Sequence, residues 1–315
     1  MRAIQVTAPR KIGMVDLPKP AMASGKVLMR TAMVSICGSD WPQVLGNHPE
    51  QEYPKDPGWP GHEISGIVEE SECPEFIPGD RVLDVGYEGG FREYKLRDAD
   101  QLVKLPTDRP LEEFLMSQPL GVVLHGSQRL PNPLGKRVAV IGQGAIGLFF
   151  TSVLHMQGAH EIITMDLEEG RLGVGLKLGA THPVNTSRMD PVEAVMELTG
   201  GEGADIVVEA VGQEFTFNLP GALVRPHGFI LFFGLPKKNP MLFDFRSFLW
   251  QKEATITNSS RGYPPDFTLA RDLIASRQID VRPVLTHKLP IGDVQRAFEL
   301  AESRAEGAVK IAMEF

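Results

Sequence analysis

Two short clusters carry residue types that bind metal and move protons. Ile36-Cys37-Gly38-Ser39-Asp40 sets a thiol, a hydroxyl and a carboxyl close together, and Gly61-His62-Glu63 adds an imidazole and a second carboxyl. Thiolate, imidazole and carboxylate are all zinc ligands, and a catalytic zinc site uses three protein ligands and keeps a position open. Taken singly, Cys37 reads equally well as a small buried hydrophobe, and His62 as a hydrogen-bonded structural histidine.

A third cluster, Gly142-Gln143-Gly144-Ala145-Ile146-Gly147, fits the G-x-G-x-x-G pattern. It follows an apolar run that reads as a strand and opens a run that reads as a helix. There the first glycine allows a tight turn, the second lets a pyrophosphate approach the backbone, and the third lets helix and strand pack closely. Asp166 ends the next strand-like run, where an acid that binds the adenosine ribose is expected. Its carboxylate would accept hydrogen bonds from ribose hydroxyls and repel a 2′-phosphate, so NAD is expected over NADP. Arg171 is the nearby cation that a 2′-phosphate would use.

These residues need elements to hold them. Residues 27–34, 64–69, 81–85 and 91–96 read as short strands separated by turns. The stretch 46–61 contains Pro49, Pro54, Pro57 and Pro60, so it reads as a loop. From about 119 strands and helices alternate: strand at 137–141, helix at 145–157, strand at 161–165, helix at 171–178, strands at 206–208 and 229–233. That alternation argues a parallel, doubly wound sheet. Helices near 266–276 and 291–301 and a closing strand at 309–315 complete the chain. The expected layout is a nucleotide-binding unit at 119–260, inserted between two pieces of a β-rich unit at 1–118 and 261–315.

Composition narrows the class. The chain has 315 residues, 42% hydrophobic and 23% charged, as in ordinary globular proteins. The most apolar stretch, 138–154, is broken by Gly142, Gln143, Gly144 and Gly147, so no spanning helix is expected. The first residues carry no signal-peptide pattern. Forty acidic against 32 basic residues give a net charge of −8, which argues against nucleic-acid binding. Two cysteines exclude a disulfide scaffold and any four-cysteine zinc site. A cytoplasmic enzyme acting on a small molecule is the expected class.

Taken in order, the motifs resemble the medium-chain dehydrogenase/reductase superfamily, in its zinc-dependent alcohol and polyol dehydrogenase branch. The resemblance runs nearly end to end, through Cys37–Asp40, Gly61–Glu63 with Ile64-Ser65-Gly66-Ile67-Val68, and Pro78-Gly79-Asp80-Arg81-Val82. It continues through Gly89-Gly90-Phe91, Pro119-Leu120, the glycine cluster, Asp166, Gly203-Ala204-Asp205 and Gly234-Leu235-Pro236. It implies an α/β fold with a Rossmann domain inserted into a β-rich, GroES-like catalytic domain.

The same resemblance implies that Cys37 and His62 bind one catalytic zinc. Glu63 matches a residue that is a ligand in some members and a nearby carboxylate in others. Ser39 matches the hydroxyl that takes the substrate proton, and Asp40 a carboxylate that orients a ligand. Val211, Phe233 and Leu235 match positions along the nicotinamide, Arg261 a cation that reaches the cofactor, and Lys310 a basic position near the pyrophosphate. A homodimer or homotetramer is implied, with 229–233 and 241–250 as contributors.

Three departures bear on chemistry. The lobe that holds a structural zinc in the family is bridged by residues 83–88, so no structural zinc is expected. Gln118 stands where Glu or Cys is usual, and a neutral amide oxygen is a weaker ligand than an anion. Pro42 stands where a proton-relaying histidine is often found, and His48 is a candidate substitute. The expected activity is reversible oxidation of a secondary alcohol, polyol or sugar with NAD. The alternatives are a zinc-free quinone or enone reductase of the same superfamily and a non-catalytic NAD-binding protein.

Overall fold

The computed structural model describes residues 1–46, 53–87, 89–236 and 240–315. The chain divides into two compact units. One comprises Met1–Pro119, Tyr263–Arg277 and Leu285–Phe315; the other comprises Leu120–Gly262 and Gln278–Val284.

The second unit is built on a parallel sheet. Its strands run in the order His182–Asn185, Glu161–Asp166, Arg137–Ile141, Ala204–Glu209, Val224–Phe232, Thr255–Asn258. The order reverses between Arg137–Ile141 and Ala204–Glu209, which is the point where doubly wound sheets bind dinucleotides. The strands are continuous apolar runs because both faces are covered. Val138, Ala139, Val140, Val207, Val208, Ile230 and Leu231 are all fully buried. The helix Ala145–Met156 is apolar nearly all round and buries Leu148, Phe149, Phe150, Val153 and Leu154.

The first unit is β-rich. Its main sheet places Leu285–Pro290, Lys310–Glu314, Val27–Ser35, Glu63–Ser71, Arg81–Asp84 and Leu102–Leu105 in that order, and Tyr94–Arg97 also pairs with Val27–Ser35. A hairpin of Arg2–Ala8 and Lys11–Asp16 stands apart from it. Val27–Ser35 is the hub. It pairs antiparallel with Glu63–Ser71, bringing Ser35 opposite Glu63, and with the closing strand, bringing Ser35 opposite Ala312. The segments after Ser35 and before Glu63, and the start of the closing strand, are thereby gathered at one end of the sheet.

Several local expectations change. Residues 91–93 precede the strand Tyr94–Arg97. Arg92 bridges Ala3, and the N–H of Ile4 donates to the carbonyl of Phe91 at 2.9 Å, so this stretch belongs with the hairpin. The helix Ser117–Ser127 spans the expected boundary at 118/119, with Pro119 in its first turn, where a missing N–H costs nothing. Residues 229–232 lie in a strand flanked on both sides by other strands, so they offer no free edge; His182–Asn185 and Thr255–Asn258 are the edge strands.

Candidate active site

Cys37 precedes a single 3-10 turn, Gly38–Asp40, which leads into the short helix Trp41–Leu45. Pro42 sits at the start of that helix, a position its fixed φ suits. The turn aims two groups. Asp40 is buried, and its Oδ2 accepts the N–H of Cys37 at 2.8 Å. Its other oxygen is buried, makes no hydrogen bond among the described residues, and faces Nδ1 of His62 at 3.4 Å. Ser39, between them, is exposed.

His62 immediately precedes the strand Glu63–Ser71. Adjacent residues of a regular strand face opposite ways, but His62 lies outside the strand, so it and Glu63 can share a site. One ligating atom each from Cys37, His62 and Glu63 all lie within 4.8 Å of one another. Burial pulls the His62 imidazole toward a lower pKa, but its contacts with Asp40 and Cys37 outweigh that and hold it well above its ordinary value. Tyr87 stacks on the His62 ring at 6.3 Å between centroids. It lies in the segment 83–88, and nothing in its sequence context singles it out.

Glu63 is fully buried, and both of its oxygens are engaged. The Ser35 hydroxyl donates to one of them, and the Lys310 ammonium donates to the carboxylate at 2.6 Å. Lys310 also donates to the Ile36 carbonyl at 3.0 Å. Burial disfavours the Lys310 charge, but Glu63 and Cys37 more than offset this and raise its pKa. The Lys310 ammonium, expected near a pyrophosphate, is engaged here by Glu63 and the Ile36 carbonyl. It is buried and bound to Glu63, because the closing strand enters the sheet beside Ser35.

The donor chemistry fits a zinc ion. Sulfur and imidazole nitrogen converge, and a buried carboxylate with an unused oxygen stands behind the ring. That oxygen would hold Nδ1–H and leave Nε2 for the metal. Gln118 is buried at the start of Ser117–Ser127. Trp41 packs edge-on against Phe298 at 6.0 Å, which gives it a packing role. Trp59 is half-buried, Cys73 is buried with its thiol 2.9 Å from the Gly25 carbonyl, and His48 lies outside the described residues.

In the second unit the glycine cluster makes the turn from Arg137–Ile141 into Ala145–Met156, with Gly144 as the N-cap and Ala145, Ile146 and Gly147 in the first turn. A Cβ on Gly147 would lie 1.8 Å from the Gly142 carbonyl oxygen, so only glycine permits this approach. Asp166 ends its strand. Its oxygens accept the N–H groups of Gln143 at 2.6 Å and Glu168 at 3.0 Å, which fixes the carboxylate beside the glycine turn. Arg171 follows on the helix Glu169–Lys177, and its guanidinium lies 4.0 Å from where a Cβ on Gly144 would stand. Val211 and Phe233 are half-buried in the turns after Ala204–Glu209 and Val224–Phe232, whereas Leu235 and Arg261 are exposed.

Glu209 was not anticipated from the sequence. It ends a central strand and is fully buried. A carboxylate directly after the apolar run Ile206–Val208 and followed by Ala-Val-Gly was the available signal. Burial raises its pKa against the lowering effect of the N–H and hydroxyl groups around it.

A doubly wound sheet with a glycine turn and an acid at the end of the next strand, together with a Cys-His-carboxylate cluster on a β-rich unit, is the arrangement of a nucleotide-dependent oxidoreductase with a candidate metal centre. Sequence profiles agree. Residues 23–107 match the alcohol dehydrogenase GroES-like domain, and residues 145–276 match the zinc-binding dehydrogenase domain. The chain belongs to the zinc-type alcohol and polyol dehydrogenase branch of the medium-chain dehydrogenase/reductase superfamily.

Among its relatives is L-threonine 3-dehydrogenase of Bacillus subtilis, 29% identical over 94% of this chain and 93% of that protein. Sorbitol dehydrogenase of the same organism is 27% identical over 96% and 93%. The solved structure of alcohol dehydrogenase TADH from Thermus sp. ATN1 superposes with a TM-score of 0.86 at 26% identity, covering 100% of this chain and 99% of that one.

Proposed function

We propose that this protein reversibly oxidises a secondary alcohol, polyol or sugar by hydride transfer to NAD, with one zinc ion held at Cys37 and His62. The observation that carries this reading is the convergence of Cys37, His62 and Glu63 within 4.8 Å, with Asp40 behind the imidazole. When bound, zinc supplies Lewis-acid stabilisation of a developing alkoxide, and NAD accepts the hydride.

The chain's own residues do the rest. Asp40 fixes the His62 ring through Nδ1. The Ser39 hydroxyl, exposed beside Cys37, takes the substrate hydroxyl proton and passes it to water, since Pro42 has no proton to relay. Glu63 stands within reach of the metal, with Lys310 and Ser35 competing for its oxygens. The Gln118 amide oxygen is the further neutral donor.

In this reading residues 1–118 and 261–315 form the catalytic domain and 119–260 the NAD-binding domain. Gly142, Gly144, Ala145, Ile146 and Gly147 receive the pyrophosphate at the positive end of a helix. Asp166 selects NAD by accepting ribose hydroxyls, with Arg171 alongside. Val211, Phe233 and Leu235 line the nicotinamide, and Arg261 reaches the cofactor. A homodimer would form through the edge strand Thr255–Asn258 and the exposed Leu242, Phe245 and Trp250; light scattering tests that.

The deciding experiment is zinc per chain in purified, unchelated protein by elemental mass spectrometry, followed by an NAD-linked screen of polyols, sugars and secondary alcohols. A value near one with turnover supports the proposal. A value near zero after growth in zinc would shift the reading to a zinc-free quinone or enone reductase, which Gln118 favours.

A further inference from the structure

The sheet's reversal point divides a bound dinucleotide. The glycine turn and Asp166 occupy the side of Arg137–Ile141 and Glu161–Asp166, so the adenosine half lies there. The other half falls over the ends of Ala204–Glu209 and Val224–Phe232. At those ends three turns touch. A Cβ on Gly212 would stand 2.0 Å from the Leu235 carbonyl oxygen, and one on Gly142 would stand 2.4 Å from Val211 Cγ2.

One residue ties two of these turns, 211–212 and 233–235, together. Oε1 of Glu209 accepts the N–H groups of Val211 at 3.0 Å and Gly212 at 2.9 Å, and the Thr216 hydroxyl at 2.8 Å. The Glu209 main-chain carbonyl accepts the N–H groups of Phe233 and Gly234, both at 2.9 Å. Oε2 is buried with no hydrogen-bond partner among the described residues, and no ion pair to Glu209 is found among them. A buried carboxylate without a countercharge is costly in an ordinary core, so its position at the reversal point calls for a function.

We propose that Glu209 is the positioning residue for the nicotinamide half of the cofactor, holding the 211–212 and 233–235 turns in the register on which the nicotinamide riboside rests. This rests on the proposed dinucleotide binding. Removing the carboxylate's charge weakens the donors' hold on the 211–212 turn. The adenosine half, held by Gly142–Gly147 and Asp166, keeps its own contacts.

The test is isothermal titration of the full-length protein with NAD+, NADH and ADP-ribose, the last of which lacks the nicotinamide. Glu209→Gln is expected to raise Kd for NAD+ and NADH roughly tenfold or more, while ADP-ribose stays within about twofold, since bonds to a charged acceptor are the stronger class. Thr216→Val keeps the carboxylate and removes one neutral donor; a rise of roughly threefold for NAD+ and NADH, with ADP-ribose unchanged, is expected. This variant decides the matter if Glu209→Gln does not fold. Equal weakening of all three ligands would assign Glu209 a purely structural role and overturn the proposal, as would NAD+ binding within about twofold of wild type in the folded variants. Wild-type protein that binds none of the three would instead refute dinucleotide binding itself.

Discussion

The ammonium of Lys310 lies 2.6 Å from the carboxylate of Glu63, and both side chains are buried, at 4% and 1% exposure. A basic residue of the closing strand thus neutralises an acid next to His62. Lys310→Met leaves that carboxylate buried with only the Ser35 hydroxyl as partner. We expect a loss of about 3–5 kcal/mol in urea unfolding, with much of it recovered in the Lys310→Met/Glu63→Gln double variant. A loss below about 0.5 kcal/mol would show the pair to be dispensable.

The proposed mechanism assigns metal retention to Cys37, which groups with His62 and Glu63. Cys37→Ala is expected to drop bound zinc to background and abolish alcohol turnover, while NAD binding by titration stays near wild type. Full activity in this variant would rule out a zinc-assisted mechanism.

The pH dependence follows from His62, whose folded pKa is raised. In metal-free protein its protonated form stabilises the fold. That contribution is complete below the unfolded value of about 6.5 and is lost as pH rises through the higher folded value. Zinc needs the neutral ring, so its affinity climbs over the same window. Melting temperatures of metal-free and zinc-loaded protein should diverge with rising pH, and His62→Asn should flatten both trends.

The segment that follows the strand Arg81–Asp84 begins at a buried charge cluster. Asp84 Oδ2 meets Lys95 Nζ at 2.6 Å and Arg97 Nε at 2.8 Å, while its Oδ1 accepts the Gly86 N–H at 2.9 Å. Burial pushes Lys95 down to about 8 from 10.5, so its contribution to stability improves as pH rises through that interval. Asp84→Asn removes the countercharge shared by two buried cations and should cost about 3–5 kcal/mol, whereas Lys95→Met keeps the Arg97 pair and should cost less than about 1 kcal/mol. Denaturant melts of the two variants decide this.

Cofactor preference is assigned to Asp166. Asp166→Gly removes the anion that accepts the Gln143 N–H and should shift the NAD/NADP ratio of kcat/KM toward NADP by roughly tenfold or more. An unchanged ratio would take cofactor selection away from this residue.

Much of the site was legible in the sequence because it depends on local chemistry. The glycine turn, its flanking strand and helix, and Asp166 lie within one strand-helix-strand unit, and spacing alone fixes their relation. Cys37 and Asp40 share one turn, so their contact was equally local. The partnership of Glu63 with Lys310 was not legible, because those residues are far apart in the chain and meet only when the closing strand pairs beside Val27–Ser35. Lys310 therefore read as a cofactor contact, when tertiary structure makes it a buried counter-ion. Glu209 was hidden for a related reason. Its sequence neighbours explain the Val211 and Gly212 contacts, but only the parallel pairing of Ala204–Glu209 with Val224–Phe232 brings the 233–235 turn to it. Residue types determined which chemistry was available, and non-local strand pairing decided which charges face one another.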